Sequence, residues 1–512
     1  MRWFLVVSVA AAFAAGCSSE KPVPRVEITT PQTARSGDIV ISYILYDPDE
    51  RNATLEVQYS LDNGATWLPQ SGLPTEGVGG DGTTDLRSEA RGLAHSFVWD
   101  SVADIGHINC ETVRIRMRPT TRRRGDWASS GQFTVQNHPL GHWATNVAAA
   151  EGTEPDVAVD SSTDVIYVVY VSGGDIWIAA SEDGGATWVG ATEAHAPTAT
   201  DTESQPAVCV QSDGTIRVAY VRLLQSGSTE VRCASLTYDA ASDSFTRAAD
   251  VRVDNDTQSG HTDAAPDVTS DSSDNVVVVW SENDGSGNHT VYADVDDGSG
   301  FTTADYTVSD ATSAVEPEPN VVILPGSPEQ AWVFWEHGTG TESQIWQDSA
   351  TETGSANAYD DWGTDARVDQ HTSGDNSTDP AAATGSSRIF CFYTDDRASA
   401  TTGLDLIMAW GAGSPFTEAT ATAAEGDQTA PAAAAADDDN VWLVYINGNG
   451  VEAIKGTYSA AWSFASAERV DDDGLGNAKR RPAVCLYQGA PAVVFEDDRD
   501  GTTKVFFTSR SP

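Results

Sequence analysis

The most constraining feature of the chain is a unit of four short strands that recurs seven times after residue 138. The clearest copy comprises Pro155–Val159, Val165–Tyr170, Ile176–Ala180 and the hairpin Ser181–Trp188. The segments are short and rich in Val, Ile, Tyr and Trp, and Gly, Ser, Thr and Asp separate them, which predicts strands joined by turns. The recurrence predicts an all-β chain.

Two positions mark every copy of the repeat: a proline in the first strand and an aromatic residue 13 to 16 positions later, at the end of the second strand. The prolines are Pro155, Pro206, Pro266, Pro319, Pro380, Pro431 and Pro482. The aromatic residues are Tyr170, Tyr220, Trp280, Trp335, Tyr393, Tyr445 and Phe495. Four-stranded repeats of this length predict a β-propeller over residues 138–512, with seven blades.

The ends of the repeat array predict how the ring closes. The seventh copy has three strands, and Trp143–Val147 resembles the outer strands that begin at Trp362 and Trp462. An outer strand near Trp143 would complete the last blade and remove an open sheet edge. The other outer strands are expected to begin at Trp188, Phe245, Phe301 and Phe416.

A separate domain is expected over residues 25–137. Alternation predicts strands at 25–30, 38–46, 53–60, 95–99, 113–118 and 132–136. Their number and length suit a small β-sandwich, and the segment resembles the immunoglobulin/fibronectin type III-like modules of bacterial surface proteins.

The N-terminus predicts export and lipid anchoring. Residues 3–15 form an apolar run too short to span a bilayer, and Ala14-Ala15-Gly16-Cys17 follows the pattern of small residues before a cysteine. This resembles a bacterial lipoprotein signal, which implies that residues 1–17 contain the signal, that Cys17 is acylated and that residues 18–24 form a tether. The expected location is extracytoplasmic, at the outer membrane or cell surface.

Charge and cysteine content exclude several classes of function. Lys and Arg number 29 against 76 Asp and Glu, a net charge of −47 that repels nucleic-acid phosphates. The odd set of five cysteines beyond Cys17 has no paired spacing, so free thiols and no metal site are expected. These are Cys110, Cys209, Cys233, Cys391 and Cys485.

Two hairpins share the pattern S-x-D-x-G-x-x-W, one in each predicted domain. Its key positions are Ser60, Asp62, Gly64 and Trp67 in the first hairpin, and Ser181, Asp183, Gly185 and Trp188 in the second. The carboxylate can accept backbone N–H groups across the turn, the glycine can take a positive φ, and the tryptophan can pack over the sheet. Because this pattern occurs in both predicted domains, we expect it to stabilise a hairpin and not to form an active site.

This pattern is the Asp-box, and residues 140–512 resemble the sialidase-like, or BNR-repeat, propeller superfamily. The resemblance implies six blades as an alternative count. It also implies a sialidase signature of Arg-Ile-Pro, three substrate-gripping arginines, a Tyr-Glu pair and an acidic Asp. The nearest stretch here, Arg388-Ile389-Phe390, lacks the proline, and the first repeat contains no arginine. Sialic acid hydrolysis is therefore not expected, and no catalytic residue is assigned.

The candidate binding face is the side of the propeller that carries the hairpins between second and third strands. Its residues are Asp395, Asp396, Arg397, Asp497, Asp498, Arg499, Glu282 and Glu336. Such a face could bind glycan hydroxyls, a cationic partner or Ca²⁺, which prefers oxygen ligands. The alternative is turn chemistry, in which each Asp caps its hairpin and pairs with the following Arg.

An arginine-rich stretch stands out in this acidic chain. Arg114, Arg116 and Arg118 alternate along one predicted strand, and residues 122–124 are all arginine. The face they share could dock on the acidic second domain or on an anionic cell-surface polymer, or it could be a solvated sheet face.

The sequence thus favours a lipid-anchored envelope protein whose propeller binds a glycan or a protein without catalysis. One alternative is a glycoside hydrolase or lyase with an acidic pair on the propeller face. The other is a scaffold for envelope assembly.

Overall fold

The computed structural model describes residues 23–31, 38–61, 63–105, 109–136, 143–195, 201–255, 260–338, 342–354, 359–370, 374–397, 399, 403–422, 426–472, 479–499 and 501–511. The chain divides into two compact units, Met1–Pro139 and Leu140–Pro512. Strands dominate both, which confirms the prediction of an all-β chain. Across these ranges no helix is long and apolar enough to cross a membrane.

Within the described ranges, the first unit contains two antiparallel sheets. Its elements are β1 (Arg25–Ile28), β2 (Asp38–Tyr46), β3 (Thr54–Ser60), β4 (Leu93–Asp100), α1 (Ser101–Ile105), β5 (Asn109–Thr120), β6 (Ala128–Ser129) and β7 (Phe133–Gln136). One sheet has the order β1-β2-β4, and the other has β3-β5-β6 with β7 also paired to β5. Alternate residues of β2, β3 and β5 share one buried core, as Ile41, Val57 and Ile115 illustrate. The two sheets therefore bury their apolar faces together.

The second unit contains seven antiparallel sheets within the described ranges. The innermost strands are β9 (Thr153–Asp160), β13 (Thr202–Val210), β18 (Thr262–Ser270), β22 (Asn320–Leu324), β26 (Ser377–Thr384), β30 (Gln428–Asp437) and β35 (Lys479–Tyr487). The second strands are β10 (Val165–Ser172), β14 (Ile216–Leu223), β19 (Val276–Asn283), β23 (Gln330–Gly338), β27 (Ile389–Asp395), β31 (Asn440–Asn447) and β36 (Ala490–Asp497).

The outer halves of these sheets follow the same plan. The third strands are β11 (Asp175–Ser181), β15 (Thr229–Asp239), β20 (His289–Asp296), β24 (Ser343–Thr351), β28 (Asp405–Gly411), β32 (Gly450–Tyr458) and β37 (Lys504–Ser509). The outer strands are β8 (Val147–Ala150), β12 (Val189–Glu193), β16 (Ser244–Arg247), β17 (Val251–Arg252), β21 (Tyr306–Thr307), β25 (Ala366–Arg367), β29 (Thr417–Thr422), β33 (Trp462–Phe464) and β34 (Glu468–Arg469).

The innermost strands form a closed ring. Each contacts the innermost strand of the next sheet, and β35 of the seventh sheet contacts β9 of the first. The segment before the first repeat adds β8 to the edge of β37, with Phe507 opposite Val147. An isolated bridge between Trp143 and Arg510 precedes it. The architecture is consistent with a β-propeller, and the added strand lies slightly later than predicted.

Two outer strands also begin later than predicted. In the third and fourth sheets they are the two-residue strands β21 and β25, which start five and four residues after Phe301 and Trp362. Carboxylates bind the backbone donors that follow these aromatic residues. Asp294 accepts the N–H of Thr302 at 3.2 Å, and Asp348 accepts that of Gly363 at 3.1 Å. These N–H groups are therefore not available to a strand ladder at that point.

Candidate functional site

Two of the predicted hairpins are closed by a buried aspartate and the arginine two residues later. Asp395 accepts the backbone N–H of Arg397 at 2.9 Å and its Nε at 2.7 Å. Asp497 accepts the corresponding groups of Arg499 at 2.8 and 2.6 Å. Both carboxylates are buried, with relative exposures of 0% and 1%. This is the pairing expected from turn chemistry.

The two arginines also bind residues outside their hairpins. Arg397 Nη1 lies 2.9 Å from Glu418 Oε2. Arg499 Nη2 lies 3.0 Å from Asn146 Oδ1, and its Nη1 pairs with Asp472. The side chains that the sequence presents as a binding set therefore connect the hairpins to neighbouring segments. Their hydrogen-bonding capacity is largely used within the protein.

The other residues of the predicted face differ in how fully they are paired. Asp396 accepts both the backbone N–H and the side-chain amide of Asn376, at 2.6 and 2.8 Å. Glu282 lies 2.9 Å from His261 Nδ1. Asp498 is half-buried, and its Oδ1 has no partner within the described ranges. Burial raises the pKa of the Glu336 carboxyl above its usual value.

A cavity of about 340 Å³ lies where the innermost strands meet. It is lined by residues of six of the seven sheets, from the first strands and the residues just before them. They are Glu154, Pro155, Asp156, Gln205, Pro206, Ala207, Ala265, Pro266, Asp267, Glu318, Pro319, Asn320, Pro380 and Arg481. Five of the repeat prolines are in this lining, so the prolines that define the repeat also surround the cavity.

The backbone around the cavity has the same irregularity in several sheets. In six sheets the residue before the proline has a φ near +50°, a conformation that non-glycine residues seldom adopt. These residues are Glu154, Gln205, Ala265, Asp379, Ala430 and Arg481. Proline has no N–H for the ladder, and in all six of these sheets the register between first and second strands shifts across it, as between Ser204 and Ala207.

Hydrogen bonds from one sheet to the next hold these irregular residues in place. Glu496 Oε1 accepts the backbone N–H of Glu154 at 2.7 Å, and Glu154 Oε2 accepts that of Gln205 at 2.6 Å. Gln205 Oε1 in turn accepts the N–H of Ala265 at 2.9 Å. Since strained backbone persists only where its surroundings fix it, these bonds make the rim of the cavity a defined structure.

A second layer of polar side chains lies one residue beyond the prolines. Asp156 accepts the N–H of Val208 at 2.8 Å, and Asp267 accepts that of Val321 at the same distance. Protein surrounds both carboxyls except on the cavity side, and this burial raises their pKa values, to about 6 for Asp156 and about 7 for Asp267. The negative charge of Asp156 also raises the pKa of Asp267. Asp156 and Asp267 therefore link neighbouring sheets and place acidic groups in the lining of the cavity.

Glu318 and Arg481 are the charged groups of the rim that remain accessible. Glu318 is exposed to the cavity, and its carboxylate has no hydrogen-bond partner among the described residues. Burial by the surrounding rim raises its pKa, and the negative charges of Asp379 and Glu316 raise it further. Arg481 lies 2.7 Å from Glu154 and 3.7 Å from Glu496, with about half of its side chain exposed. Donors and acceptors therefore converge on one small space.

Sequence reasoning found the prolines but not the residues on either side of them. The available signal was the polar residue before the proline in several copies, as at Glu154, Gln205, Glu318, Asp379 and Arg481. A polar residue beside a proline in an innermost strand points to the axis of a ring of sheets.

The second Asp-box forms a tightly bonded hairpin. Ser181 Oγ accepts the N–H of Gly185 at 2.8 Å, and Asp183 accepts the N–H of Thr187 at 2.8 Å. Burial alone would raise the pKa of Asp183, but the hydrogen bonds, chiefly from Thr187, lower it below the usual value. Trp188 packs edge-on against Phe507 at 5.2 Å.

The first Asp-box has part of the same arrangement. Ser60 Oγ accepts the N–H of Gly64 at 2.7 Å. Trp67 packs beside Gly64, where an added Cβ would lie 3.4 Å from the indole ring. Asp62 and the predicted lipidation site Cys17 lie outside the described residues.

Cysteines and metal-binding groups add no further candidate site. The five cysteines beyond Cys17 are free thiols, and four of them lie on β13, β15, β27 and β35. Across the described ranges, no group of three or more His, Cys, Asp or Glu side chains is placed to hold a metal ion.

No family model and no curated protein matches the sequence. Among solved structures, the chain is similar to a Hadza microbial sialidase, with TM-score 0.38 and 11% identity over 83% of this chain and 90% of that one. It is also similar to a Penicillium chrysogenum α-L-arabinanase complexed with arabinobiose, with TM-score 0.43 and 11% identity over 72% and 98% of the chains. A Fusarium graminearum GH93 α-L-arabinofuranosidase matches with TM-score 0.41 and 10% identity over 60% and 92%. At these TM-scores and identities, the neighbours assign neither a family nor an activity to this chain.

Proposed function

We propose that the protein is a lipid-anchored extracytoplasmic receptor that binds a glycan in the central cavity without cleaving it. In this proposal the seven sheets are the seven blades of a propeller, and the first unit is an immunoglobulin/fibronectin III-like sandwich near the membrane. The two Asp-boxes stabilise hairpins and take no part in binding at the cavity. The closed ring of innermost strands supports the blade count.

The observation that carries the proposal is the convergence of accessible polar groups on one cavity. Its volume of about 340 Å³ is at the lower end of the range of small-molecule sites. Arg481 presents N–H donors, while Glu318 presents acceptors that are not used within the described protein. Hydroxyl groups both donate and accept hydrogen bonds, so a sugar ring can satisfy both kinds of group.

Binding is favoured over catalysis by how the cavity carboxylates are used. Asp156 and Asp267 accept backbone N–H groups of the next sheet, and Glu154 pairs with Arg481. These contacts position the blades relative to one another. Of the carboxyl groups at the rim, Glu318 is the one that stays accessible. Glycoside hydrolysis in most families instead needs two carboxyl groups about 5–9.5 Å apart acting together.

The test is a glycan array probed with soluble protein starting at Ser18, with neighbouring residues as matched controls. Arg481→Gln and Glu318→Gln alter the cavity. Arg480→Gln and Glu316→Gln make the same changes at exposed positions outside its lining. We expect reproducible hits for wild type and both controls, with about tenfold weaker binding for the two cavity variants. A silent array, or hits that survive both cavity substitutions, would refute the glycan site. Repeating the array in EDTA tests the Ca²⁺ expectation separately.

The second candidate is glycoside hydrolysis, and it rests on the raised pKa values of Glu318 and Glu336. A carboxyl group with a raised pKa holds its proton to higher pH, which suits it better to the role of a general acid. Turnover of a panel of chromogenic glycosides, abolished in Glu318→Gln and kept in Glu316→Gln, would replace the receptor proposal with an enzyme. If neither binding nor turnover occurs, crosslinking to envelope proteins tests the scaffold alternative.

The lipid anchor is tested by expressing the full chain in bacteria with labelled palmitate. We expect label in the wild type and none in Cys17→Ser, with the wild type recovered in the membrane fraction. Equal labelling of both proteins, or none in either, would contradict the anchor.

A further inference from the structure

An ordered row of arginine and tryptophan side chains covers one face of the sheet β3-β5-β6 in the first unit. Val113, Ile115 and Met117 of β5 are fully buried in the core, so the alternate residues face the other side of the sheet. These alternate residues are Arg114, Arg116 and Arg118.

Two arginines of this row, Arg116 and Arg118, are stacked on aromatic rings. The guanidinium carbon of Arg116 lies 4.4 Å from the ring centroid of Trp67 and 4.4 Å from that of Trp127. That of Arg118 lies 4.3 Å from Trp127. Trp67 is the tryptophan of the first Asp-box, so the hairpin also positions one ring of the stack. Such stacking fixes the guanidinium planes before any ligand arrives.

Positive charge on this face exceeds the negative charge that pairs with it. Glu56 binds Arg118 and Arg124, in both cases at 2.6 Å, while Arg116 binds the neutral Gln58 at 2.9 Å. Arg114 and the exposed Arg122 have no carboxylate partner within the described ranges, and Arg114 Nε has no hydrogen-bond partner at all there. This surplus of positive charge is a local feature of the face, since the chain as a whole has a net charge of −47.

The spacing and chemistry of the row match a linear polyanion. Alternate residues of a strand are about 7 Å apart, so the guanidinium groups form a regular line. Each can bind a sulfate, phosphate or carboxylate through two N–H groups. The indole rings hold the guanidinium planes of Arg116 and Arg118 in fixed orientations for such binding. At physiological salt, charges more than about 8 Å away are largely screened, so the acidic remainder of the protein does not cancel this attraction.

We propose that the face formed by Arg114, Arg116, Arg118, Trp67 and Trp127 is a docking surface for an anionic polysaccharide. It is separate from the central cavity and does not depend on the function proposed for that cavity. In an envelope protein it would hold the first unit against a charged glycan layer.

The test uses soluble protein starting at Ser18 and immobilised dextran sulfate at 0.15 M salt, with neutral dextran as the matched polymer. The double variant R114Q/R122Q removes two arginines that have no carboxylate partner and keeps the stacked residues. The control R87Q/R91Q makes the same charge change at exposed positions of the same unit. We expect wild type and the control to bind dextran sulfate but not dextran, and R114Q/R122Q to bind about tenfold more weakly.

A second variant separates fixed geometry from charge. R116K keeps the charge but replaces the planar group that stacks on both rings, and we expect weaker binding by a protein that retains the far-UV circular dichroism spectrum of wild type. The proposal is overturned if wild type fails to bind dextran sulfate or if R114Q/R122Q binds as wild type does. It is also overturned if the protein binds vesicles of anionic phosphatidylglycerol in preference to the polymer, because the partner would then be a membrane.

Discussion

The packing between the first and seventh sheets, which closes the ring, can be tested at Gly185. This glycine lies in the second Asp-box at φ +91°, and a Cβ built on it would lie 1.9 Å from Cε1 of Phe507. Phe507 belongs to β37 in the seventh sheet, whereas Gly185 follows β11 in the first. The substitution Gly185→Ala therefore forces an extra methyl group between the first and last sheets.

Two free-energy penalties add in the Gly185→Ala variant. An alanine at positive φ costs about 1–2 kcal/mol, and crowding a packed aromatic ring costs about 1–3 kcal/mol more. We expect the free energy of unfolding to fall by about 2–5 kcal/mol in total. The matched control is Gly173→Ala, at φ +69° in the hairpin between β10 and β11, where a Cβ meets nothing within 4 Å. Only the first cost applies there.

The assay is urea unfolding of both variants and wild type, followed by tryptophan fluorescence. Loss of glycine's freedom in the unfolded chain affects both variants alike and cancels in their comparison. The difference between them isolates the contact between the first and last sheets. Equal destabilisation of the two variants would refute the conclusion that this hairpin packs tightly against the seventh sheet.

Three further measurements test other parts of the structure. Burial raises the pKa of Asp267 to about 7, so its protonated form stabilises the fold below about pH 4 and this contribution is lost as the pH rises through 7. Asp267→Asn should therefore flatten the stability profile between pH 4 and 7, and a slope equal to that of wild type would contradict this. Glu203 is buried between His195 and Arg222, so Glu203→Gln should lower the free energy of unfolding by about 3–5 kcal/mol in urea, whereas a loss below about 1 kcal/mol would contradict a buried ion pair. Burial also raises the thiol pKa of Cys233 and Cys391, whose side chains are fully buried, so these two thiols should react with a disulfide reagent only after unfolding. Rapid labelling of either residue in the native protein would count against its burial.

The strands could be predicted from the sequence because their signals are local. Alternation along β2 reports that one side of the strand is buried, and the continuous apolar run of β10 reports burial on both sides; neither signal needs knowledge of the neighbours. The pairing of Asp395 with Arg397 could also be weighed in advance, because both belong to one turn. The added outer strand followed from counting strands in the last repeat, although its position shifted to Val147–Ala150.

The cavity could not be predicted in this way, because its lining comes from six different sheets. Glu154 and Arg481 stand at opposite ends of the repeat array and meet only because the first and seventh sheets adjoin. The stacking of Arg116 between Trp67 and Trp127 likewise joins a hairpin, a strand and a loop.

The sequence by itself determined the strands, their turns and the number of repeats, since these depend on period-two burial and turn chemistry within a few residues. The tertiary structure alone decided which of the many carboxylates are used within the fold and which face a cavity. In a chain with 76 acidic residues, that distinction depends on distances between side chains from separate sheets, and closure of the ring sets those distances.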